Sequence, residues 1–145
     1  MTATLARVTL ATCGYAVIDA GTQSCTLAGA GHLPPILALP DGTTRVPELP
    51  AGQSLGLGAA SYGQARIKLP PGTVLALYTD GLVESRTFSY DQGILAVRSV
   101  LAREHGHLET ICDALIEELA DRCEDDITVV LARIPSGREG QSCQV

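Results

Sequence analysis

Three aspartates lie at the ends of two strongly apolar segments, a position where carboxylates can do chemistry. Asp80 ends the run TVLALYTD at 73–80, and Asp125 and Asp126 directly precede the run ITVVLARI at 127–134. A carboxylate at the end of a buried strand is costly unless another group pairs with it. If the two runs are antiparallel neighbours, the carboxylates meet at one sheet edge, where a cation between them relieves their repulsion. Oxygen-only ligands of this kind suit Mg²⁺ or Mn²⁺.

The same aspartates have a second interpretation as ordinary turn residues. Asp-Gly after a strand and Asp before a strand are both common turn chemistry. On this interpretation Asp80 and Asp125 bind no metal. Mn²⁺ then leaves thermal stability unchanged, since only a ligand that binds the folded state raises it.

The composition predicts one globular domain with an aliphatic core. The chain has 145 residues, of which 46% are hydrophobic and 18% charged, with one Phe and no Trp. The net charge of −6 and the lack of a basic stripe argue against a nucleic-acid partner. No apolar run reaches the ~18 residues that a membrane span needs. The five cysteines are odd in number and lack CxxC spacing, which favours reduced thiols in a cytoplasmic protein.

Hydrophobic patterning predicts the elements that must position the aspartates. Predicted strands cover 5–19, 24–30, a strand–turn–strand unit within 36–49, 65–69, 73–80 and 127–134. Predicted helices cover 91–104 and 107–122. The order of strands, then helices, then a strand indicates an α+β fold with helices on one face of the sheets.

Some predictions concern burial. The strand at 5–19 carries apolar residues on both faces, so we expect layers on both sides of it. The inner faces of the two helices are predicted from apolar spacing. They comprise Ile94, Leu95, Val97, Val100 and Leu101 in the first, and Leu108, Ile111, Cys112, Leu115, Ile116 and Leu119 in the second.

Several motifs, taken in order, resemble one family. LYTDGLVESR followed by DDITVVLARI is similar to the metal-dependent protein phosphatases of PPM type, in the bacterial SpoIIE-like branch. Three further stretches match in the same order: CGYAVIDAGTQSCTLAGAGHLPPIL, LPAGQSLGLG and IKLPPGTVLALYTDG. The resemblance runs from about residue 8 to 134.

The resemblance implies an antiparallel β-sheet sandwich layered with α-helices, an α-β-β-α arrangement that is incomplete at the N-terminus. Residues 1–134 then form the C-terminal portion of a phosphatase domain, followed by a polar, mobile tail at 135–145. The family's upstream Asp-x-x-Gly-x-Gly stretch and the two helices after it have no counterpart here. We therefore expect one open, apolar sheet face, covered by a homodimer partner or an upstream domain.

The resemblance also implies roles for individual residues. Asp80 and Asp125 match the family's metal ligands, which makes them the predicted catalytic residues as well. Three further residues are predicted to hold those ligands in position without binding the metal themselves: Gly81, Asp126 and Thr128.

The implied activity is hydrolysis of phosphoserine or phosphothreonine with two Mn²⁺ or Mg²⁺ ions. The implied partner is a phosphorylated regulatory protein in bacterial signalling, an antagonist of an anti-sigma factor, with no nucleic acid and no membrane involved. His32, in AGAGHLPP, is interpreted as a loop-stabilising residue. The alternative function is a catalytically dead phosphatase-like module for binding or scaffolding.

Overall fold

The computed structural model describes residues 9–58, 61–119 and 126–135. Within these residues the chain forms seven strands, two α-helices and one 3₁₀ turn. The strands are β1 (Cys13–Asp19), β2 (Ser24–Ala30), β3 (Ile36–Ala38), β4 (Thr44–Arg45), β5 (Gln64–Lys68), β6 (Val74–Tyr78) and β7 (Val129–Arg133). The 3₁₀ turn spans Asp80–Leu82, and the helices are α1 (Tyr90–Arg103) and α2 (Leu108–Leu119).

The strands form two antiparallel sheets. One has three strands in the order β1-β2-β5, and the other has four in the order β4-β3-β6-β7. The Asp41-Gly42 turn joins β3 to β4, and Gly42 has the left-handed φ of 81° that makes glycine favourable there. These pairings confirm the predicted α+β class.

The two helices cover one face of the four-stranded sheet. Alternate residues of β3 and β6 point toward them, because side chains alternate between the faces of a strand. The buried cluster between helices and sheet consists of Ile36, Ala38, Val74, Ala76, Tyr78, Leu82, Val83, Ile94, Val97, Val100, Leu101, Ile111, Leu115 and Leu119. This cluster fixes β6 and the turn that follows it against α1.

The opposite face of the four-stranded sheet packs on the three-stranded sheet. Leu37 and Leu75, which alternate with the helix-facing residues, contact Cys25 and Leu27 of β2 in a second buried cluster. Burial raises the pKa of the Cys25 thiol. The layers of the described residues are therefore helices, four-stranded sheet and three-stranded sheet.

Two sequence predictions, one for the strand at 5–19 and one for the inner faces of the helices, are wrong in extent or burial. The strand predicted at 5–19 begins at Cys13 in the described residues, and six of its seven residues are exposed rather than covered on both faces. Leu95 and Ile116 are exposed, because each lies to one side of the stripe that its helix buries. The tail predicted at 135–145 lies outside the described residues except for Pro135. In the described part of the chain, neither helix is long and apolar enough to cross a membrane.

Candidate metal centre

The end of β6 and the start of β7 lie side by side. Tyr78 pairs with Val129 in the register of the two antiparallel strands. One step further, the Thr79 N–H donates to the Thr128 carbonyl at 3.0 Å. The prediction that these two apolar runs are antiparallel neighbours is confirmed. The segment that ends in Asp80 therefore lies beside the segment that begins at 126.

The Thr79 hydroxyl holds these two segments together. It accepts the Thr128 N–H at 2.9 Å and donates to the Asp126 carbonyl at 3.2 Å. One side chain at the end of β6 thus binds two backbone groups of the segment that leads into β7. Sequence analysis did not single out Thr79; the available signal was a hydroxyl residue directly before the acidic residue at a strand end.

Asp80 begins a single turn that leaves its side chain in solvent. Its Oδ1 accepts the Gly81 N–H at 2.9 Å, while its carbonyl accepts the N–H groups of Val83 and Glu84, each at 2.9 Å. The residue is exposed, and its carboxylate has no other hydrogen bond among the described residues. The turn therefore fixes the carboxylate's orientation while leaving oxygen lone pairs available for a ligand.

Gly81 supports Asp80 through its backbone. It does not use the left-handed φ that glycine alone adopts easily, since it is not among the residues with positive φ. It lies buried in the 3₁₀ turn, and its N–H orients the Asp80 carboxylate. The interaction is through the backbone, so the sequence alone could not assign it.

Asp80 lines a cleft of about 170 Å³ with six other residues: Thr12, Gly31, His32, Leu33, Thr79 and Glu84. Glu84 adds a second carboxylate that sequence analysis had not placed at the site, brought there by the turn after β6. The His32 ring lies against the β1 backbone, where a side chain on Gly14 would come within 2.5 Å of the ring. Sequence patterns gave no sign of this cleft, because its walls come from segments distant in the chain.

The other predicted site residues are only partly visible. Asp125 lies outside the described residues. Asp126 and Thr128 are exposed and join the site through the backbone contacts with Thr79. In ranges 9–58, 61–119 and 126–135, no three His, Cys, Asp or Glu side chains are grouped closely enough to hold a metal ion. The metal roles of these residues therefore stay predictions.

Replacing Thr79 by Val should weaken the contact between the end of β6 and the segment that leads into β7. The change removes both hydroxyl hydrogen bonds and leaves a backbone N–H and a carbonyl without that partner. We expect the free energy of unfolding to fall by about 1–2 kcal/mol. Urea denaturation measures this, with Thr79→Ser as the matched control, since Ser keeps the hydroxyl. Equal stability of the Val and wild-type proteins would contradict the role assigned to Thr79.

Comparison with known proteins yields a family and a fold. A family model described as "Stage II sporulation protein E (SpoIIE)" matches residues 1–135. A search among curated proteins found no match.

Among solved structures, this chain is similar to the RsbU and RsbW domains of Rv1364c from Mycobacterium tuberculosis, with 22% identity and a TM-score of 0.73 over 84% of this chain and 37% of that one. It is similar to the Mn-presoaked phosphatase domain of the cell fate determinant SpoIIE from Bacillus subtilis, with 23% identity and a TM-score of 0.67 over 88% of this chain and 58% of that one. RsbX in complex with magnesium gives 24% identity and a TM-score of 0.59 over 79% of this chain and 51% of that one. The chain thus spans less than two thirds of each of these structures.

Proposed function

Because this chain belongs to the SpoIIE family, whose fold is that of PP2C-type phosphatases, we propose that it takes part in metal-dependent removal of phosphate from phosphoserine or phosphothreonine. The observation that carries the proposal is the exposed carboxylate of Asp80, which the Gly81 N–H orients. Asp80 follows the end of β6, and this end is paired with the start of β7. A carboxylate fixed in solvent at the joined ends of two strands is suited to a cation, whereas burial would demand a pairing partner.

The donor set near Asp80 fits a hard divalent cation. The acidic side chains at this sheet edge present oxygen atoms, which Mg²⁺ and Mn²⁺ prefer. We propose that Asp80 and Asp125 hold the metal and that Gly81, Asp126 and Thr128 support them. When bound, Mn²⁺ or Mg²⁺ supplies an activated water and neutralises charge on the phosphoryl oxygens. Thr79 keeps the two acidic segments at a fixed separation, which preserves the geometry of the oxygen donors.

The proposed substrate is a phosphorylated regulatory protein, an antagonist of an anti-sigma factor, in bacterial signalling. The family assignment supports this partner class. We place the protein in the cytoplasm, which fits the free thiols of Cys13, Cys25 and Cys112 among the described residues.

A second candidate function is a phosphatase-like module that binds a phosphoprotein without hydrolysing it. This alternative is favoured by the small number of acidic side chains in the cleft, where Asp80 and Glu84 carry the carboxylates among the described lining residues. Two carboxylates and water molecules hold one hard cation weakly, and a weakly held cation need not support turnover.

One pair of measurements separates the candidates. The chain is incubated with a phosphoserine peptide in Mn²⁺ or in EDTA, and its thermal midpoint is recorded under both conditions. Phosphate release and a raised midpoint, each only with Mn²⁺, are the expected results, since a ligand of the folded state stabilises it. A raised midpoint without release would overturn hydrolysis and favour the binding module. No response in either measurement would favour the interpretation of Asp80 and Asp125 as turn residues.

A further inference from the structure

A second pocket adjoins the cleft that contains Asp80. Its volume is about 240 Å³, and its described walls are three glycines, two prolines, Leu49, Ala51 and His32. Gly31 and His32 line both the cleft and the pocket, so the pocket begins where the cleft ends. The walls come from the end of β2 and from two loops, at 31–34 and 49–52. The pocket is therefore a direct extension of the proposed phosphate site.

Hydrogen bonds hold the walls of this pocket in place. The Tyr78 hydroxyl donates to the Pro34 carbonyl at 2.9 Å, and Tyr78 is buried on β6, two residues before Asp80. The Gly31 N–H donates to the Gly52 carbonyl at 2.9 Å, which joins the two loops. The pocket thus keeps a fixed position relative to the end of β6. A ligand need not order these loops when it binds, which lowers the entropic cost of binding.

The lining of the pocket favours an apolar group. The described residues around it include no Asp, Glu, Lys or Arg, whereas the adjoining cleft contains Asp80 and Glu84. Leu49 is half-buried and packs against the core between the two sheets, so one wall is continuous with that core. A charged group in the pocket would lose hydration without gaining an ionic partner. Mostly apolar pockets with few polar groups are typical of ligand sites.

We propose that this pocket binds the apolar side chain of a residue directly next to the phosphoserine or phosphothreonine of the substrate protein. The proposal rests on the function proposed above, which sets the phosphate beside Asp80. Consecutive Cα atoms are about 3.8 Å apart, so a residue next to the bound one is within reach of the adjoining pocket. The pocket then selects phosphoproteins with a side chain such as Leu, Ile or Met at that position.

The walls that the cleft and the pocket share favour a substrate as the occupant. Another part of the protein that filled the pocket would also narrow the cleft, because Gly31 and His32 border both spaces. A substrate segment instead occupies the two spaces together, with its phosphate in the acidic, metal-binding part and its neighbouring side chain in the apolar part. The polarity of each space matches the group assigned to it.

Two phosphoserine peptides test the preference. They are identical except that Leu flanks the phosphoserine on both sides in one peptide and Asn does so in the other. Leu and Asn have similar shapes and no charge, so the pair compares polarity alone. We expect kcat/KM with Mn²⁺ to be higher for the Leu peptide by at least about tenfold, since burial of an apolar side chain of this size favours binding.

Ala51→Leu fills part of the pocket, and Ala20→Leu is the matched control. Ala51 is exposed at the pocket wall, whereas Ala20 is exposed in the turn between β1 and β2, at the opposite end of β2. We expect the preference for the Leu peptide to disappear in Ala51→Leu and to remain in Ala20→Leu. A wild type without the preference, or an Ala51→Leu protein that keeps it, would overturn the proposal. Circular dichroism confirms that both variants are folded.

Peptide binding separates a failure of this proposal from a failure of the proposed hydrolysis. The dissociation constants of the same two peptides are measured with Mn²⁺ by fluorescence anisotropy, which requires no turnover. If neither peptide is hydrolysed, hydrolysis by this chain is overturned, and tighter binding of the Leu peptide that is lost in Ala51→Leu still supports the pocket. Equal dissociation constants, or no binding of either peptide, would overturn the pocket as a substrate site.

Discussion

Asp80→Asn should abolish Mn²⁺-dependent hydrolysis of a phosphoserine peptide by this chain. Asn has nearly the same shape as Asp, and its carbonyl oxygen can still accept the Gly81 N–H that orients residue 80. The variant therefore removes the negative charge while keeping the turn. Since losing a group that only supports a metal ligand typically costs 10–100-fold, we expect loss of the proposed ligand itself to cost at least about 100-fold.

Asp113→Asn is the matched control for this variant. Asp113 is exposed on α2, away from the cleft, and the substitution changes the net charge by the same amount. We expect wild-type hydrolysis and a wild-type rise of the thermal midpoint with Mn²⁺ in the control, and neither in Asp80→Asn. An Asp80→Asn protein that keeps the Mn²⁺-induced rise would contradict the role of Asp80 as a ligand, whether or not the wild type turns over substrate.

The strands that carry the acidic residues could be predicted from sequence because their apolar runs are continuous. TVLALY and ITVVLARI read as buried strands, and the structure pairs them as β6 and β7. Only β6 is mostly buried, since all five residues of β7 are half-buried or exposed. The supporting contacts could not be predicted in this way. The Thr79 hydroxyl bonds to residues 126 and 128, which lie far away in sequence, and Glu84 reaches the cleft only because a 3₁₀ turn follows β6. Such contacts depend on how the chain turns, which periodicity does not encode.

The errors in burial have a related cause. A pattern of apolar residues indicates which faces a strand is able to bury, but it does not indicate whether another layer is present. The segment at 5–19 is apolar on both faces, yet β1 lies at the edge of its sheet among the described strands and is mostly exposed. In α1, Ile94, Val97 and Leu101 form one stripe at a helical spacing, and Leu95 is turned about 100° away from Ile94.

The close approach of α1 to the turn after Asp80 was also invisible in the sequence. Gly93 is buried in α1, and a Cβ built on it would lie 1.9 Å from the Val83 carbonyl oxygen and 2.6 Å from the Val83 Cα. These contacts are with backbone atoms, which cannot move aside as the end of a flexible side chain can. Val83 is fully buried, and its N–H donates to the Asp80 carbonyl at 2.9 Å. The missing side chain at residue 93 therefore sets the position of the turn that presents Asp80.

Gly93→Ala should consequently destabilise the protein, although Ala is favoured over Gly in a helix interior by about 1 kcal/mol. Overpacking a rigid site costs about 1–3 kcal/mol and occasionally more. Because the clash is with backbone, we expect a net loss near the upper end, about 2–3 kcal/mol, and a thermal midpoint lower by roughly 5–10 °C. Differential scanning calorimetry and urea denaturation measure the two quantities.

Gly21→Ala provides the same substitution at a site with room for it. Gly21 lies in the turn between β1 and β2, has no left-handed φ, and its added Cβ would meet only the Asp19 Oδ1, at 3.4 Å. We expect its stability to remain within about 0.5 kcal/mol of the wild type. If Gly93→Ala were equally mild, α1 would have room to move away from Val83. The position of Asp80 would then depend on the strand pairing of β6 with β7 alone, and not on the packing of the helix layer.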